Sequence, residues 1–176
     1  VMQLLHVRNA QVREEDYLHV IRSKTAKLFE AAGRLGGILG GVPQSHEAAL
    51  ADYGMHLGTA FQLVDDILDY SGNQEQTGKN LGDDLAEGKV TLPLIFAMRN
   101  GDSRQSALIR EAITGGGLSD FPAVMDTIRA TGALEDTRAE AQACSRRAID
   151  AISILPNSKY KDCLLELASF AVARHY

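Results

Sequence analysis

Apolar residues recur at helical spacing along almost the whole chain, and this period limits the fold more than any other feature. One stripe runs from Glu14 to Leu39, and a second runs from Ser45, a predicted N-cap, to about Tyr70. A stripe with a 3.6-residue period needs another helix to cover it. No β-branched run with a period of two competes with the pattern. The sequence therefore predicts an all-α helical bundle.

The predicted apolar faces and the later helices follow from the same spacing. The first face contains Leu18, Ile21, Thr25, Leu28, Phe29, Ala32 and Leu35, and the second contains Leu50, Tyr53, Leu57, Ala60, Phe61, Val64 and Leu68. Residues 71–89 carry four glycines and predict a loop. Further helices are predicted over 91–99, from 102 or 103 to about 114, from 119 or 120 to 130, over 133–155 and over 158–174.

Composition narrows the class of protein. A chain of 176 residues fits one domain, which we expect to span 1–176. The net charge of -5, without a dense Lys/Arg run, argues against a general nucleic-acid binder. We expect no membrane span and find no secretory signal pattern. The two cysteines, Cys144 and Cys163, are expected to be free buried thiols, which indicates a reducing, cytoplasmic location.

Three carboxylates interrupt the second stripe in the segment Phe61-Gln62-Leu63-Val64-Asp65-Asp66-Ile67-Leu68-Asp69-Tyr70. On a helix, Asp65 and Asp69 stand one turn apart on one face, where like charges raise each other's pKa. Mg²⁺ would resolve this conflict, because it binds one or two carboxylates together with waters and substrate phosphates. A solvated acidic face is the alternative, and the apolar flanks disfavour it. The segment predicts a metal–diphosphate site.

Basic and polar residues nearby suit a diphosphate. Lys79 and Lys89 lie in the glycine-rich loop that follows the aspartates, where backbone and ammonium groups could close over phosphates; an ordinary loop is the alternative. Lys24 and Thr25 interrupt the first stripe, although a snorkelling lysine and a back-bonded threonine would explain them too. Gln62, one turn before Asp66, could equally be a satisfied core amide.

These motifs together resemble one family. The pattern Phe-Gln-x-x-Asp-Asp-x-x-Asp, then Gly-Lys and Gly-x-Asp-Leu-x-x-Gly-Lys-x-Thr-Leu-Pro, is similar to the second aspartate-rich region of trans-isoprenyl (polyprenyl) diphosphate synthases. The match runs over residues 61–94, and Lys24-Thr25 sits upstream as in that family. The run GKNLGDDLAEGKVTLPLI looks most like bacterial octaprenyl diphosphate synthases.

The resemblance implies an isoprenoid-synthase bundle and a head-to-tail condensation. An allylic diphosphate ionises with the help of Mg²⁺, isopentenyl diphosphate attacks the allylic cation, and a proton is lost. By the same resemblance, Asp65 is the main metal ligand, with Asp66 and Asp69 supporting it directly or through water. Lys24, Lys79 and Lys89 hold the allylic diphosphate. The Thr25 hydroxyl and the Gln62 carbonyl dipole face the developing carbocation.

The chain departs from the family pattern in one respect. Members carry a first aspartate-rich motif, an arginine pair and an isopentenyl-diphosphate pocket upstream of the Lys-Thr helix, and residues 1–176 contain none of them. We therefore expect the C-terminal half of a synthase that does not turn over alone, with a homodimer as the state of the full-length enzyme. A class I terpene cyclase and a non-catalytic subunit of a heteromeric synthase are the alternatives.

Overall fold

The computed structural model describes residues 7–71, 81–115 and 120–174, and every regular element in these ranges is a helix. The prediction of an all-α fold is confirmed. In chain order the helices are α1 (Glu14–Ile21), α2 (Lys27–Leu39), α3 (Gln44–Ser71), α4 (Asp83–Ala86), α5 (Leu92–Asn100), α6 (Ser103–Gly115), α7 (Phe121–Ala130), α8 (Ala133–Ala151) and α9 (Lys159–Ala173). A π-helical turn (Arg22–Ala26) joins α1 to α2, and a 3₁₀ turn (Ile152–Ile154) follows α8.

Most predicted bounds are right within a residue or two, and three details are wrong. Helix α3 begins at Gln44, directly after Pro43, so Ser45 lies in its first turn and is not the N-cap. The predicted loop contains the short helix α4. The predicted helix over 14–39 is divided by the π-helical turn, where Lys27 N–H donates to Arg22 O, five residues back.

The described residues form two compact units. The first unit consists of residues 7–20, 65–71, 81–115 and 120–138, and the second of Ile21–Val64 and Ala139–Arg174. Helices α3 and α8 each contribute residues to both units. That residues 1–176 form one domain stays a prediction.

Within the second unit, helices α2 and α3 meet through glycines. A Cβ atom built on Gly33 would lie 2.1 Å from Leu50 O, and one on Gly54 would lie 2.2 Å from Phe29 O. A Cβ on Gly58 would lie 2.6 Å from Ala26 Cα. Side chains at these positions would collide with backbone, so glycine sets how closely the two helices approach.

This glycine contact explains why part of the predicted first apolar face is exposed. Leu28 is 73% exposed and Leu35 is 56% exposed, because α2 turns Gly33 and Gly37 towards α3 instead. The expectation that another helix covers the whole first apolar face is wrong at these two leucines. The second predicted face is buried or half-buried throughout.

The core of the second unit lies between α3, α8 and α9. Its buried residues are Tyr53, Leu57, Ala148, Ile152, Ala168 and Ala171. Polar groups at its edge are satisfied: the Tyr53 hydroxyl donates to Leu164 O (2.8 Å), and the Ser145 hydroxyl donates to Ala168 O (2.7 Å). Cys144 and Cys163 are both free, as predicted, but Cys163 is exposed.

The first unit has its core in α5, α6 and α7, which pack against one another. Their fully buried residues include Leu92, Leu94, Ile109, Ile113, Val124 and Ile128. Pro93 occupies the first turn of α5, as predicted, because a proline there removes no helical hydrogen bond. Among the described helices, none is long and apolar enough to cross a membrane.

Candidate functional site

The predicted site residues fall into both units. Asp65, Asp66, Asp69 and Lys89 belong to the first unit, whereas Lys24, Thr25 and Gln62 belong to the second. Lys79 lies outside the described residues.

Asp66 is held inside the first unit by a tyrosine from α1. The Tyr17 hydroxyl donates a hydrogen bond to Asp66 Oδ2, and the two residues are 5% and 3% exposed. Burial, and next the nearby Asp66 charge, raise the pKa of Tyr17 well above its ordinary value. Tyr17 therefore keeps its proton and acts as the hydrogen-bond donor to Asp66.

Asp69, near the end of α3, accepts two backbone hydrogen bonds from the segment that begins α4. Gly82 N–H donates to Asp69 O (3.0 Å), and Asp84 N–H donates to Asp69 Oδ2 (3.3 Å). The turn depends on glycine at Gly82, whose φ of 80° is left-handed and whose Cβ would lie 2.4 Å from the Phe121 ring. The start of α4 is thereby bound to the end of α3.

Burial and a neighbouring negative charge both destabilise the charged form of Asp69. Burial is the larger cause, and the Asp84 charge adds to it; together they raise the pKa of Asp69 to about 7. The hydrogen bond from Asp84 N–H opposes the rise without cancelling it. A cation beside Asp69 would take the place of the proton, because it neutralises the same charge.

Lys89 is bound to two carboxylates of its own turn. Its Nζ lies 2.6 Å from Asp84 Oδ1 and 2.8 Å from Glu87 Oε2. Burial lowers the pKa of Lys89, but the hydrogen bonds to Asp84 and Glu87 outweigh burial and the net pKa is raised. Lys89 therefore stays charged, on the same turn as the Asp84 carboxylate that faces Asp69.

In the second unit, the π-helical turn brings Thr25 to Gln62 of α3. The Thr25 hydroxyl donates to Gln62 Oε1 over 2.9 Å. Both side chains are half-buried, and Lys24 beside them is exposed. The two residues predicted to face a carbocation thus form one polar pair, and π-helical turns are frequent at functional sites.

The first unit offers oxygen donors that suit a hard divalent cation. Within the described ranges, no three His, Cys, Asp or Glu side chains converge on a point where a metal could bind. Mg²⁺ needs no such cage, because one or two carboxylates suffice when waters and phosphates complete the coordination. Asp65 and Asp69, one turn apart on α3, provide that number. Asp65 and Asp69 therefore fit the ligand requirement of Mg²⁺.

Two residues of this region, Tyr17 and Asp84, were not predicted from the sequence. Tyr17 precedes Asp66 by 49 residues, and nothing in its local pattern marks it as a hydrogen-bond donor to a carboxylate. Asp84 did carry a signal, because it lies in the Gly-x-Asp-Leu motif next to Lys89. Its approach to Asp69 depends on the left-handed turn at Gly82.

Comparison with known proteins shows which family the chain belongs to. A family model described as "Polyprenyl synthetase" matches residues 1–128, which is more than half of the chain. The chain belongs to the polyprenyl synthetase family. It is 50% identical over 181 residues to the octaprenyl diphosphate synthase of Haemophilus influenzae and 48% identical over 175 residues to that of Escherichia coli. These alignments cover 100% and 99% of this chain and 54% of each relative.

Solved structures of the family share the fold. A polyprenyl synthase from Caulobacter crescentus CB15, crystallised with calcium and isoprenyl diphosphate, superposes with a TM-score of 0.93 at 39% identity. The superposition covers 99% of this chain and 54% of that one. The predicted isoprenoid-synthase fold is thereby confirmed. The chain spans about half the length of the curated relatives it matches.

Proposed function

We propose that the chain forms part of a prenyltransferase that condenses isopentenyl diphosphate head-to-tail with an allylic diphosphate to give a long-chain polyprenyl diphosphate. Family membership and identity of about half to two octaprenyl diphosphate synthases support the reaction class. The observation that carries the proposal is the half-buried Asp69 carboxylate, which accepts a hydrogen bond from Asp84 N–H and whose negative charge a cation would stabilise.

The reaction first forms an allylic cation and a diphosphate anion, and the cation is then consumed by bond formation and loss of a proton. The allylic C–O bond breaks, and its electron pair leaves with the diphosphate. The terminal alkene carbon of isopentenyl diphosphate then bonds to the allylic carbon, and loss of a proton restores a double bond. A site for this chemistry must stabilise a departing anion and hold a cation away from water.

The first unit would bind the departing diphosphate. Bound Mg²⁺ supplies Lewis-acid stabilisation of the diphosphate oxygens. Asp65 and Asp69 would hold the metal from α3, and Asp66 stays a predicted supporting residue. Lys89 carries a stable positive charge for a phosphate oxygen, and its two carboxylate partners keep it in place. Lys24 and Lys79 remain predicted diphosphate ligands.

The Thr25–Gln62 pair would stabilise positive charge. Because the Thr25 hydroxyl hydrogen is directed to Gln62 Oε1, the lone pairs of the threonine oxygen remain available to an electron-poor carbon. The same bond fixes the direction of the amide dipole. We propose these two residues as the groups that face the allylic cation.

Membership of the polyprenyl synthetase family supports a synthase over a terpene cyclase, and consumption of isopentenyl diphosphate would separate the two. It also supports a catalytic role over a regulatory subunit. A homodimeric full-length enzyme and a cytoplasmic location stay predictions.

Binding of inorganic pyrophosphate by the 176-residue chain tests the proposal. Calorimetric titration in 5 mM Mg²⁺ should show binding that disappears in EDTA, and Lys89→Ala should weaken it by about tenfold, the factor for one charge-assisted contact of roughly 1.4 kcal/mol. Lys159→Ala is the matched control, because that lysine lies over the Tyr160 ring of α9 and is not a predicted ligand. Equal binding in EDTA, or no binding in Mg²⁺, would contradict the proposal.

A further inference from the structure

Tyr17 is the residue on α1 whose hydroxyl reaches into the aspartate motif of α3. Its ring is buried, and the Asp66 carboxylate that accepts its hydrogen bond is more deeply buried still. A buried carboxylate is costly unless hydrogen-bonded, so the contact fixes both partners. Asp66 is thereby joined to a helix that lies 49 residues away in sequence.

The neighbouring aspartates point in other directions. Successive residues on a helix are offset by about 100°, so Asp65 and Asp66 lie on different faces while Asp65 and Asp69 share one. The structure agrees, since Asp65 and Asp69 are half-buried whereas Asp66 is buried against Tyr17. The rotation of α3 about its axis decides which carboxylates are presented to a ligand.

We propose that Tyr17 is a positioning residue: its hydroxyl anchors Asp66, and this anchor fixes the rotation of α3 so that Asp65 and Asp69 face the divalent cation. The inference rests on the proposed function, and it changes one assignment within it. Asp66 acts as an anchor and not as a direct metal ligand. Loss of a residue that orients metal ligands lowers metal affinity by about 10–100-fold.

Binding of Mn²⁺ alone to the metal-free chain tests the inference, with the free ion counted by electron paramagnetic resonance. Tyr17→Phe keeps the ring and removes the hydroxyl, and it should raise the Kd for Mn²⁺ by about tenfold. Tyr53→Phe is the control, because it removes another tyrosine hydroxyl hydrogen bond, the one to Leu164 O, within the second unit. Tyr53→Phe should lower the free energy of unfolding about as much as Tyr17→Phe does, and it should leave the Kd for Mn²⁺ unchanged.

Two substitutions of Asp66 separate an anchor from a ligand. Asp66→Asn and Asp66→Ala both remove the charge, but only asparagine keeps an oxygen that accepts from Tyr17. The asparagine variant should bind Mn²⁺ about tenfold more tightly than the alanine variant. In the Asp66→Ala background, Tyr17→Phe should have no further effect, because the hydroxyl acts through Asp66.

The Mn²⁺ titrations distinguish failure of the Tyr17 anchor from failure of the proposed metal site. If the wild-type chain binds Mn²⁺ but Tyr17→Phe matches it, or the two Asp66 variants bind equally, the anchor is overturned and the metal site stands. The anchor also falls if Tyr17→Phe keeps its full effect in the Asp66→Ala background. A wild-type chain that binds no Mn²⁺ contradicts the metal site itself, and the anchor falls with it.

Discussion

Asp66 and Asp69 belong to one sequence motif, yet their surroundings give them different chemistry. Asp66 accepts a hydrogen bond from the buried Tyr17 phenol, whereas Asp69 accepts one from the backbone N–H of Asp84 at 3.3 Å. The pKa of Asp69 rises to about 7 for this reason, with burial as the larger cause. The difference comes from residues distant in sequence, and the raised pKa of Asp69 means that a nearby cation would stabilise its charged form.

Replacing Asp69 with asparagine should stabilise the metal-free chain in a pH-dependent way. The pKa of Asp69 is about 7 in the folded chain and has an ordinary value of 3.8, so the folded state keeps a proton that the unfolded state releases. This group therefore lowers stability progressively as pH rises from about 4 to about 7. Asp69→Asn removes the effect, because asparagine does not ionise and its oxygen still accepts from Asp84 N–H.

Urea unfolding of both proteins between pH 4 and pH 8.5 measures this difference. The free energy of unfolding of Asp69→Asn, minus that of the wild type, should increase with pH up to about 7 and then level off. A difference that stays constant over the whole range would show that the Asp69 carboxyl ionises normally in the folded chain.

At the scale of elements, the α2–α3 contact determines where the Thr25–Gln62 pair lies. Three glycines, Gly33, Gly54 and Gly58, let the two backbones approach within the space that a methyl group would fill. Gly58 sits opposite Ala26, the neighbour of Thr25. The hydrogen bond of 2.9 Å between Thr25 and Gln62 therefore depends on residues without side chains.

Adding one methyl group to this contact should be destabilising. Gly54→Ala places its Cβ 2.2 Å from Phe29 O, and backbone on both sides resists the shift, so we expect a loss of about 1–3 kcal/mol. Gly36→Ala is the control in α2, because nothing lies within 4 Å of its Cβ, and it should gain about 0.5–1 kcal/mol from helix propensity. Thermal or urea unfolding checks both; a neutral Gly54→Ala would mean that the helices separate without cost.

Helix positions could be predicted from the sequence because the 3.6-residue period and the Gly/Pro breaks are local signals. The side of α2 that packs against α3 could not be predicted. Leu28 and Leu35 dominate the apolar pattern of this helix, whereas Gly33 and Gly37 make the contact. In the same way, the aspartates, Lys89, Thr25 and Gln62 were identifiable from motifs. The contacts of Asp66 with Tyr17, and of Asp69 and Lys89 with Asp84, depend on tertiary packing, which no local period records.

In the whole molecule, the predicted site residues are distributed over both units. The first unit contains the carboxylates and Lys89, and the second contains Lys24, Thr25 and Gln62. The curated relatives are about twice as long as this chain, so the residues described here account for part of such an enzyme. We therefore predict that the 176-residue chain with Mg²⁺ and both diphosphates forms no product by itself.

Product formation by a chimaera is the decisive test of the proposed prenyltransferase role. In it, this chain replaces the matching segment of the Haemophilus influenzae octaprenyl diphosphate synthase, to which it is 50% identical. We predict that the chimaera elongates an allylic diphosphate with radiolabelled isopentenyl diphosphate, that Asp65→Ala lowers turnover by at least about 100-fold, and that the exposed control Asp126→Ala leaves it unchanged. A chimaera that is folded but inactive, or turnover unaffected by Asp65→Ala, would contradict the account.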